Sequence, residues 1–241
     1  MKIAVLSDIH SNSEALTAVL EDAVKQGARA YWGLGDIVGY GAEPDFVVEA
    51  MRKLGAPTVA GNHDWAATGR VSVRYFNRAA ATAAEWTAKA MKPENLAWLD
   101  ALPLVLERDG TLLVHATPSR PEAWHYCMSV EDARVEMNAY DHSLCLIGHS
   151  HFPGAFERDG ETLRYTRAGE MRLREGRRYL VNVGSIGQPR DGDPRAAYML
   201  FEDEEGWLRH VRVAYDVASA QKKILAAGLP RFLADRLAAG E

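Results

Sequence analysis

Cysteine is scarce in this chain of 241 residues, which contains only Cys127 and Cys145 and no C-x-x-C pair. The scarcity excludes a disulfide framework and a thiolate metal site, and it is typical of proteins in a reducing compartment. Long apolar runs are also missing. No window approaches the ~18 apolar residues of a membrane span, and the N-terminal run of Ile3 to Leu6 is too short for a signal peptide. We therefore expect a cytoplasmic protein without membrane contact.

The chain also lacks an excess of positive charge. Its 28 lysine and arginine residues are outnumbered by 33 aspartate and glutamate residues, which gives a formal net charge of −5. This balance argues against an extended nucleic-acid track, and any bound anion must be attracted locally. The length and the 47% hydrophobic content suit a sizeable core. The prediction is one domain over residues 1–241, of unknown oligomeric state.

Short apolar runs that end at glycine or a polar residue are the main structural pattern. Such runs suit strands that are buried on both faces. They are "KIAVLSD", "YWGLGD", "PTVAGNHD", "TLLVHA", "LCLIGHSH" and "YLVNVGS". Helical patterns over 12–26 and 44–54 alternate with the first three runs, which predicts a parallel sheet at the front of an α/β protein.

Two later segments differ in character. The alanine-rich segment 65–101 predicts two helices separated at Pro93, as an insertion on the sheet. After residue 152, turns such as "ERDGE" and "EDEEGW" separate β-rich runs, which indicates an antiparallel second sheet.

Metal-ligating side chains follow the predicted strands at the point where each strand ends. In an open α/β sheet the carboxyl ends of the strands meet at one edge, so these residues are expected to converge. They are Asp8, His10, Asp36, Asn62, His115, His149 and His151. Seven ligands exceed the needs of one tetrahedral ion but suit two divalent ions that share a carboxylate. Individually, each aspartate could instead be a helix cap and each histidine a satisfied core residue.

Ligands of this kind favour manganese, with iron or zinc as the alternatives, over calcium, which prefers oxygen alone. Two such ions clamp the attacking and leaving oxygens of an in-line phosphoryl displacement and acidify a bridging water to hydroxide. Two dications contribute +4, while Asp8, Asp36 and the hydroxide remove 3. The remaining charge of +1 would attract a phosphate ester.

His63 and Asp64 are the predicted catalytic residues outside the ligand set. Because Asn62 already supplies a ligand from that loop, His63 is free to protonate the leaving alkoxide. Asp64 would orient the loop or the imidazole ring. The alternative for His63 is a solvated ring, or one that is hydrogen-bonded to Asp64.

Five motifs resemble those of the calcineurin-like metallophosphoesterases. They are "DIH" at 8–10, "GD" at 35–36, "GNHD" at 61–64, "VHA" at 114–116 and "GHSH" at 148–151. The segment 182–198 is similar to one in the small bacterial phosphodiesterase and diadenosine polyphosphatase branch. The resemblance implies a four-layer α/β/β/α sandwich of two mixed sheets. It also implies two metal ions that share Asp36 as a bridging ligand. The first ion would be held by Asp8, His10, Asp36 and His151. The second would be held by Asp36, Asn62, His115 and His149.

The substrate is the least determined part of the interpretation. In the segment 182–195, Ser185, Gln188 and Arg190 could contact a phosphate or a nucleotide, although the glycines and Pro189 fit a tight turn equally well. Aromatic residues such as Tyr75 and Tyr126 could stack on a base or simply pack. The sequence thus predicts a metal-dependent phosphoesterase acting on small phosphate esters or nucleotides. The alternative function is that of a catalytically weak scaffold of the same fold, which acts in protein interaction.

Overall fold

The computed structural model describes residues 1–241 and contains eleven strands and eight helices. The strands are β1 (Lys2–Leu6), β2 (Ala30–Gly33), β3 (Val105–Arg108), β4 (Thr111–Val114), β5 (Leu144–Ile147), β6 (Gly154–Asp159), β7 (Thr162–Arg167), β8 (Glu170–Arg172), β9 (Arg178–Asn182), β10 (Ala196–Glu202) and β11 (Trp207–Val213). The helices are α1 (Ser13–Lys25), α2 (Pro44–Leu54), α3 (Asn62–Thr68), α4 (Arg78–Ala90), α5 (Pro93–Asp100), α6 (Val130–Glu136), α7 (Val217–Ala226) and α8 (Arg231–Ala239).

The strands form two mixed sheets. The five-stranded sheet has the order β2-β1-β10-β11-β8, and the six-stranded sheet has the order β3-β4-β5-β9-β6-β7. The pair β1 and β2 is parallel, as is the set β4, β5 and β9. The strands after residue 152 do not form a sheet of their own, because each half of the chain contributes strands to both sheets.

Alternate residues of the buried strands pack against different layers. Ile3 and Val5 of β1 pack against Leu146 of β5 and Val181 of β9 between the two sheets. Ala4 and Leu6 point the opposite way, and the cluster that contains them also contains apolar residues of α1, α2 and α5. A third cluster joins the other face of the six-stranded sheet to α6. The expected α/β/β/α sandwich is confirmed, and burial on both faces explains the uninterrupted apolar runs.

The helical parts depart from the expected pattern in two places. The insertion holds two helices, α4 and α5, as predicted, and α5 begins at Pro93 itself. The helix α3 precedes them and begins within the "GNHD" motif. The run "PTVA" is not a strand, and only Thr58 forms an isolated bridge, with Gly33. The C-terminal helices α7 and α8 were not predicted, and they form a fourth apolar cluster with α4 and Tyr40. None of the helices is long and apolar enough to cross a membrane.

The core between the sheets gives a stability prediction. Leu146 is fully buried in that core, and Leu146→Ala should lower the free energy of unfolding by about 2–5 kcal/mol through lost burial and a residual cavity. Val135→Ala, at an apolar residue that is 63% exposed, should change it by less than about 0.5 kcal/mol. Urea denaturation of the two variants measures both effects, and equal losses would contradict the assigned core.

Candidate metal centre

The candidate ligands meet where the carboxyl ends of the parallel strands of both sheets come together. Asp8 follows β1, Asp36 follows β2, and His115 follows β4. The segment after β5 carries His149 and His151. Convergence of this kind at strand ends is the general location of ligand sites in α/β sheets.

The first ligand group contains Asp8, His10 and His151. The Nε2 atoms of the two imidazoles are 3.1 Å apart. Oδ1 of Asp8 lies 3.1 Å from Nε2 of His151 and 3.7 Å from Nε2 of His10. All three side chains are buried. Three donor atoms this close can hold one cation.

The second ligand group contains Asp36, His115 and His149. Nε2 of His115 lies 3.2 Å from Nδ1 of His149 and 3.3 Å from Oδ2 of Asp36. The same Oδ2 atom is 3.8 Å from Nε2 of His10 in the first group. Asp36 therefore lies between the two groups, where a bridging carboxylate would have to be.

Hydrogen bonds to the backbone assign the tautomer of all four imidazoles. In each ring the nitrogen that faces away from the centre lies 2.5–3.1 Å from a main-chain carbonyl oxygen, to which it donates. The pairs are His10 with Val38, His115 with Leu34, His149 with Trp124, and His151 with Gln188. The inner nitrogen of each neutral ring is consequently a lone pair, as metal ligation requires.

The inner atoms of the site fit a cation better than they fit each other. In the first group the inner lone pairs of His10 and His151 face one another at 3.1 Å, and like acceptors at that separation repel. In the second group the inner nitrogens of His115 and His149 lie 3.2 Å apart. Oδ1 of Asp8 and Oδ1 of Asn62 are also buried without a hydrogen-bond partner, which is costly for an oxygen. Asn62 thus adds a seventh candidate donor. A divalent ion in the first group would satisfy Oδ1 of Asp8.

The pKa values of the imidazoles also indicate that a cation would stabilise the site. Burial lowers the pKa of His149 to about 3, which leaves its ring neutral. Burial also disfavours charge on His115, but the Asp36 carboxylate overcomes this and raises its pKa to about 9. The His115 proton compensates the buried carboxylate, and a cation would replace that proton.

Several ligands occupy a backbone conformation that non-glycine residues rarely adopt. The φ angles lie between 48° and 67° for Asp8, His10, Asp36, His149 and His151. Such residues cost of order 1–3 kcal/mol each, persist only where the surrounding structure compensates that cost, and concentrate at functional sites. Gly61 meets a related constraint, because a Cβ atom there would lie 2.1 Å from Oδ1 of Asp36.

His63 lies at the mouth of the centre between two aromatic rings. The centroid of its ring is 4.4 Å from that of Tyr40 and 4.8 Å from that of Phe76. Burial lowers its pKa to about 4. Its backbone N–H donates to Oδ1 of Asp36 at 2.8 Å, while its Nδ1 is buried without a partner. His63 is not a ligand in this geometry, and its ring lines the adjoining cleft.

Asp64 orients the loop and not the His63 ring. Its Oδ1 accepts the backbone N–H groups of Ile37 and Val38, and its Oδ2 accepts that of Gly61. Burial and the nearby Asp36 raise the pKa of Asp64 to about 7, although the backbone donors favour the charged form. The carboxylate joins the segment after Asp36 to the start of α3.

Asp8 and Asp36 are not helix caps, because other residues occupy the cap positions of α1 and α2. Asn12 is the N-cap of α1, and its side chain accepts from the N–H of Ala15. Glu43 occupies the corresponding position of α2. Both aspartates instead face the imidazoles described above.

The three candidate substrate contacts lie at different depths. Ser185 is fully buried, and its hydroxyl donates to the main-chain oxygen of Asp8. Gln188 is also buried, and its side-chain oxygen accepts from Arg190 at 2.9 Å. Of the three, only Arg190 lines the cleft in front of the metal centre. Ser185 and Gln188 support the site from behind.

Asn182 is a supporting residue that sequence reasoning did not select. Its Nδ2 donates to the carbonyl oxygen of Gly148 at 2.5 Å and to Oγ of Ser150 at 2.9 Å. These bonds hold the loop that carries His149 and His151. The sequence contains a signal for it, because Asn182 is a polar residue at the end of the apolar run "YLVNVGS".

A cleft of about 560 Å³ opens in front of the two ligand groups. Its volume is that of a small-molecule site. The lining residues used below are Asp36, Tyr40, His63, Trp124, Tyr126 and Arg190.

Comparison with known proteins shows similarity along the whole chain. The Calcineurin-like phosphoesterase superfamily domain matches residues 1–206. An uncharacterized protein of Methanocaldococcus jannaschii is 43% identical, over 99% of this chain and 98% of its own. The crystal structure of a metallophosphoesterase from Sphaerobacter thermophilus is 40% identical, covers 100% of this chain and 99% of its own, and has a TM-score of 0.89. A hypothetical protein from Pyrococcus horikoshii, 21% identical over 100% and 98% of the two chains, has a TM-score of 0.81 and shares the fold.

The hydrogen bonds of Asp64 give a prediction about the supporting structure. In Asp64→Asn the amide nitrogen replaces one of the two accepting oxygens. In the place of Oδ2 it would face the N–H of Gly61, donor against donor. In the place of Oδ1 it would leave the N–H groups of Ile37 and Val38 without an acceptor. The free energy of unfolding should fall by about 1–3 kcal/mol, with weaker retention of added manganese. Asp235→Asn, at an exposed helix pair, is the matched control and should change neither quantity. Thermal denaturation and metal analysis measure them, and an Asp64 variant as stable as the control would refute the role.

Proposed function

The chain belongs to the calcineurin-like phosphoesterase superfamily, and on this premise we propose that it is a dinuclear metal-dependent phosphoesterase acting on small phosphate esters, nucleotides included. The observation that carries the proposal is the pair of buried ligand groups, whose carboxylate and imidazole atoms converge and between which Asp36 lies. Such a centre suits a phosphoryl group, because the two positions can hold both reacting oxygens.

When bound, two divalent ions would supply Lewis acidity and an acidified water for in-line attack on phosphorus. The residues of the chain hold and orient that centre. Asp8, His10 and His151 would bind one ion, and Asn62, His115 and His149 the other, with Asp36 shared between them. Each imidazole is kept in the ligating tautomer by its backbone carbonyl partner.

We assign to His63 the protonation of the leaving oxygen. Its ring lines the cleft beside the shared carboxylate, within the region that a bound ester would occupy. Burial keeps the free ring neutral, and an anionic phosphoryl group next to it would favour the protonated form. The aromatic neighbours Tyr40 and Phe76 restrict the ring to an orientation toward the cleft.

The donor set supports manganese as the metal, with iron or zinc as alternatives. It combines carboxylate, amide and imidazole groups and contains no thiolate, which fits these ions better than calcium. Both cysteines are buried and unpaired, which agrees with a reducing compartment. We therefore propose that the protein acts in the cytoplasm.

The ligand and acid roles predict different losses in activity. Asp36→Asn should reduce manganese content below two ions per chain and abolish turnover of bis(p-nitrophenyl) phosphate. His63→Gln should retain two ions. Its turnover should fall about 10²- to 10⁴-fold for esters with alkyl leaving groups, and much less for p-nitrophenyl esters, because p-nitrophenolate leaves without a proton.

The measurements are metal analysis and steady-state rates with matched alkyl and p-nitrophenyl esters. Equal loss on both ester types would contradict the acid role of His63. Two ions per chain with no turnover of any ester would refute the enzyme and favour the scaffold function.

A further inference from the structure

An aromatic wall lies directly against the second ligand group. The ring of Tyr126 stacks on the imidazole of His149, with centroids 4.2 Å apart and planes 14° from parallel. Tyr126 nevertheless remains 54% exposed, and it lines the cleft. Trp124 lines the same side, and its ring centroid is 6.1 Å from that of His115.

The backbone of this wall is held in place before any ligand binds. Trp124 has a left-handed φ of 54°, and its carbonyl oxygen accepts the hydrogen bond from Nε2 of His149. Its ring contacts that of Trp65 edge to face at 5.8 Å, and the guanidinium of Arg70 covers Trp65. A preformed flat surface loses little entropy when it binds another flat ring.

The cleft contains one cationic side chain, Arg190. Its Nη2 donates to the Gln188 side chain at 2.9 Å and lies 3.4 Å from the Tyr40 hydroxyl. Its Nε is buried without a partner, and no carboxylate forms an ion pair with it. A partly buried cation without a counter-charge is unfavourable, and an anion bound in the cleft would supply that counter-charge.

The cation and the aromatic wall lie on different sides of the ligand groups. The Arg190 guanidinium lies 5.7 Å from the centroid of the Tyr40 ring. That ring is in turn 4.5 Å from the ring of His10 and 4.4 Å from that of His63. The aromatic wall instead contacts His149 and His115. The cleft therefore has a cationic end and an aromatic end with the metal centre between them.

Resting on the phosphoesterase function, we propose that the cleft recognises a nucleoside diphosphate group, with its base on Tyr126 and Trp124 and its second phosphoryl group at Arg190. A simple aryl ester would supply the ring but no second anion. An alkyl diester or a pyrophosphate would supply charge but no ring. A base and two linked phosphoryl groups match both ends of the cleft together.

Calorimetry on the manganese-loaded protein, at a fixed concentration of free manganese, tests the proposal by measuring the affinity for two ligands. Both contain a P–C–P link that resists hydrolysis. α,β-Methylene-ADP carries the base, and methylenediphosphonate lacks it. Tyr126→Leu should weaken α,β-methylene-ADP binding roughly five- to hundredfold and leave methylenediphosphonate binding unchanged. Tyr126→Phe should retain both affinities. Arg190→Met should weaken both ligands roughly ten- to hundredfold, whereas Arg231→Met, at an exposed arginine of α8, should weaken neither.

Equal affinity of the wild-type protein for the two ligands would overturn the proposal, as would a Tyr126→Leu variant that binds the nucleotide normally. Turnover of bis(p-nitrophenyl) phosphate by the same preparations separates the two hypotheses. Turnover without preference for the nucleotide refutes only this inference. The expected binding pattern with no ester turnover refutes only the hydrolase function and leaves the nucleotide site supported.

Discussion

The centre depends on four hydrogen bonds in which an imidazole donates to a main-chain carbonyl oxygen. The carbonyls of Leu34, Val38, Trp124 and Gln188 each bind the outer nitrogen of one candidate ligand. Because a neutral imidazole carries a single proton, each bond leaves a lone pair on the inner nitrogen. The backbone thereby turns the inner nitrogen of every ring toward the centre. A cation would bind the facing lone pairs of His10 and His151 and would replace the proton that His115 holds beside Asp36.

One of these bonds connects the two sheets. His115 follows a strand of the six-stranded sheet, while its partner Leu34 follows β2 of the five-stranded sheet. The bond of His151 links the segments that follow β5 and β9, which are neighbours in the six-stranded sheet. Asp8 and Asp36 have a left-handed backbone, and their carboxylates face the imidazoles of His151 and His115. Strain at these positions is compensated by the hydrogen bonds and core packing around them.

Much of the fold and of the candidate site could be predicted from local patterns. Apolar runs that stop at Asp8, Asp36, His115 and His149 indicate buried strands with ligands at their ends. The division of the later strands between both sheets could not be predicted in this way, because a turn pattern specifies a hairpin and not the sheet that it joins. The helices α7 and α8 and the short helix α3 were missed for related reasons. Tertiary packing stabilises short helices whose own sequence signal is weak.

The sequence by itself determined the chemical inventory: carboxylate, amide and imidazole donors without thiolates, at the ends of strands. This followed because residue type and strand periodicity are local properties of the chain. The tertiary structure alone decided that Asp64 holds the backbone, that the Ser185 hydroxyl is buried against the Asp8 carbonyl, and that Arg190 and Tyr126 line one cleft. Those relations join residues far apart in sequence, and only packing of the two sheets brings them within contact distance.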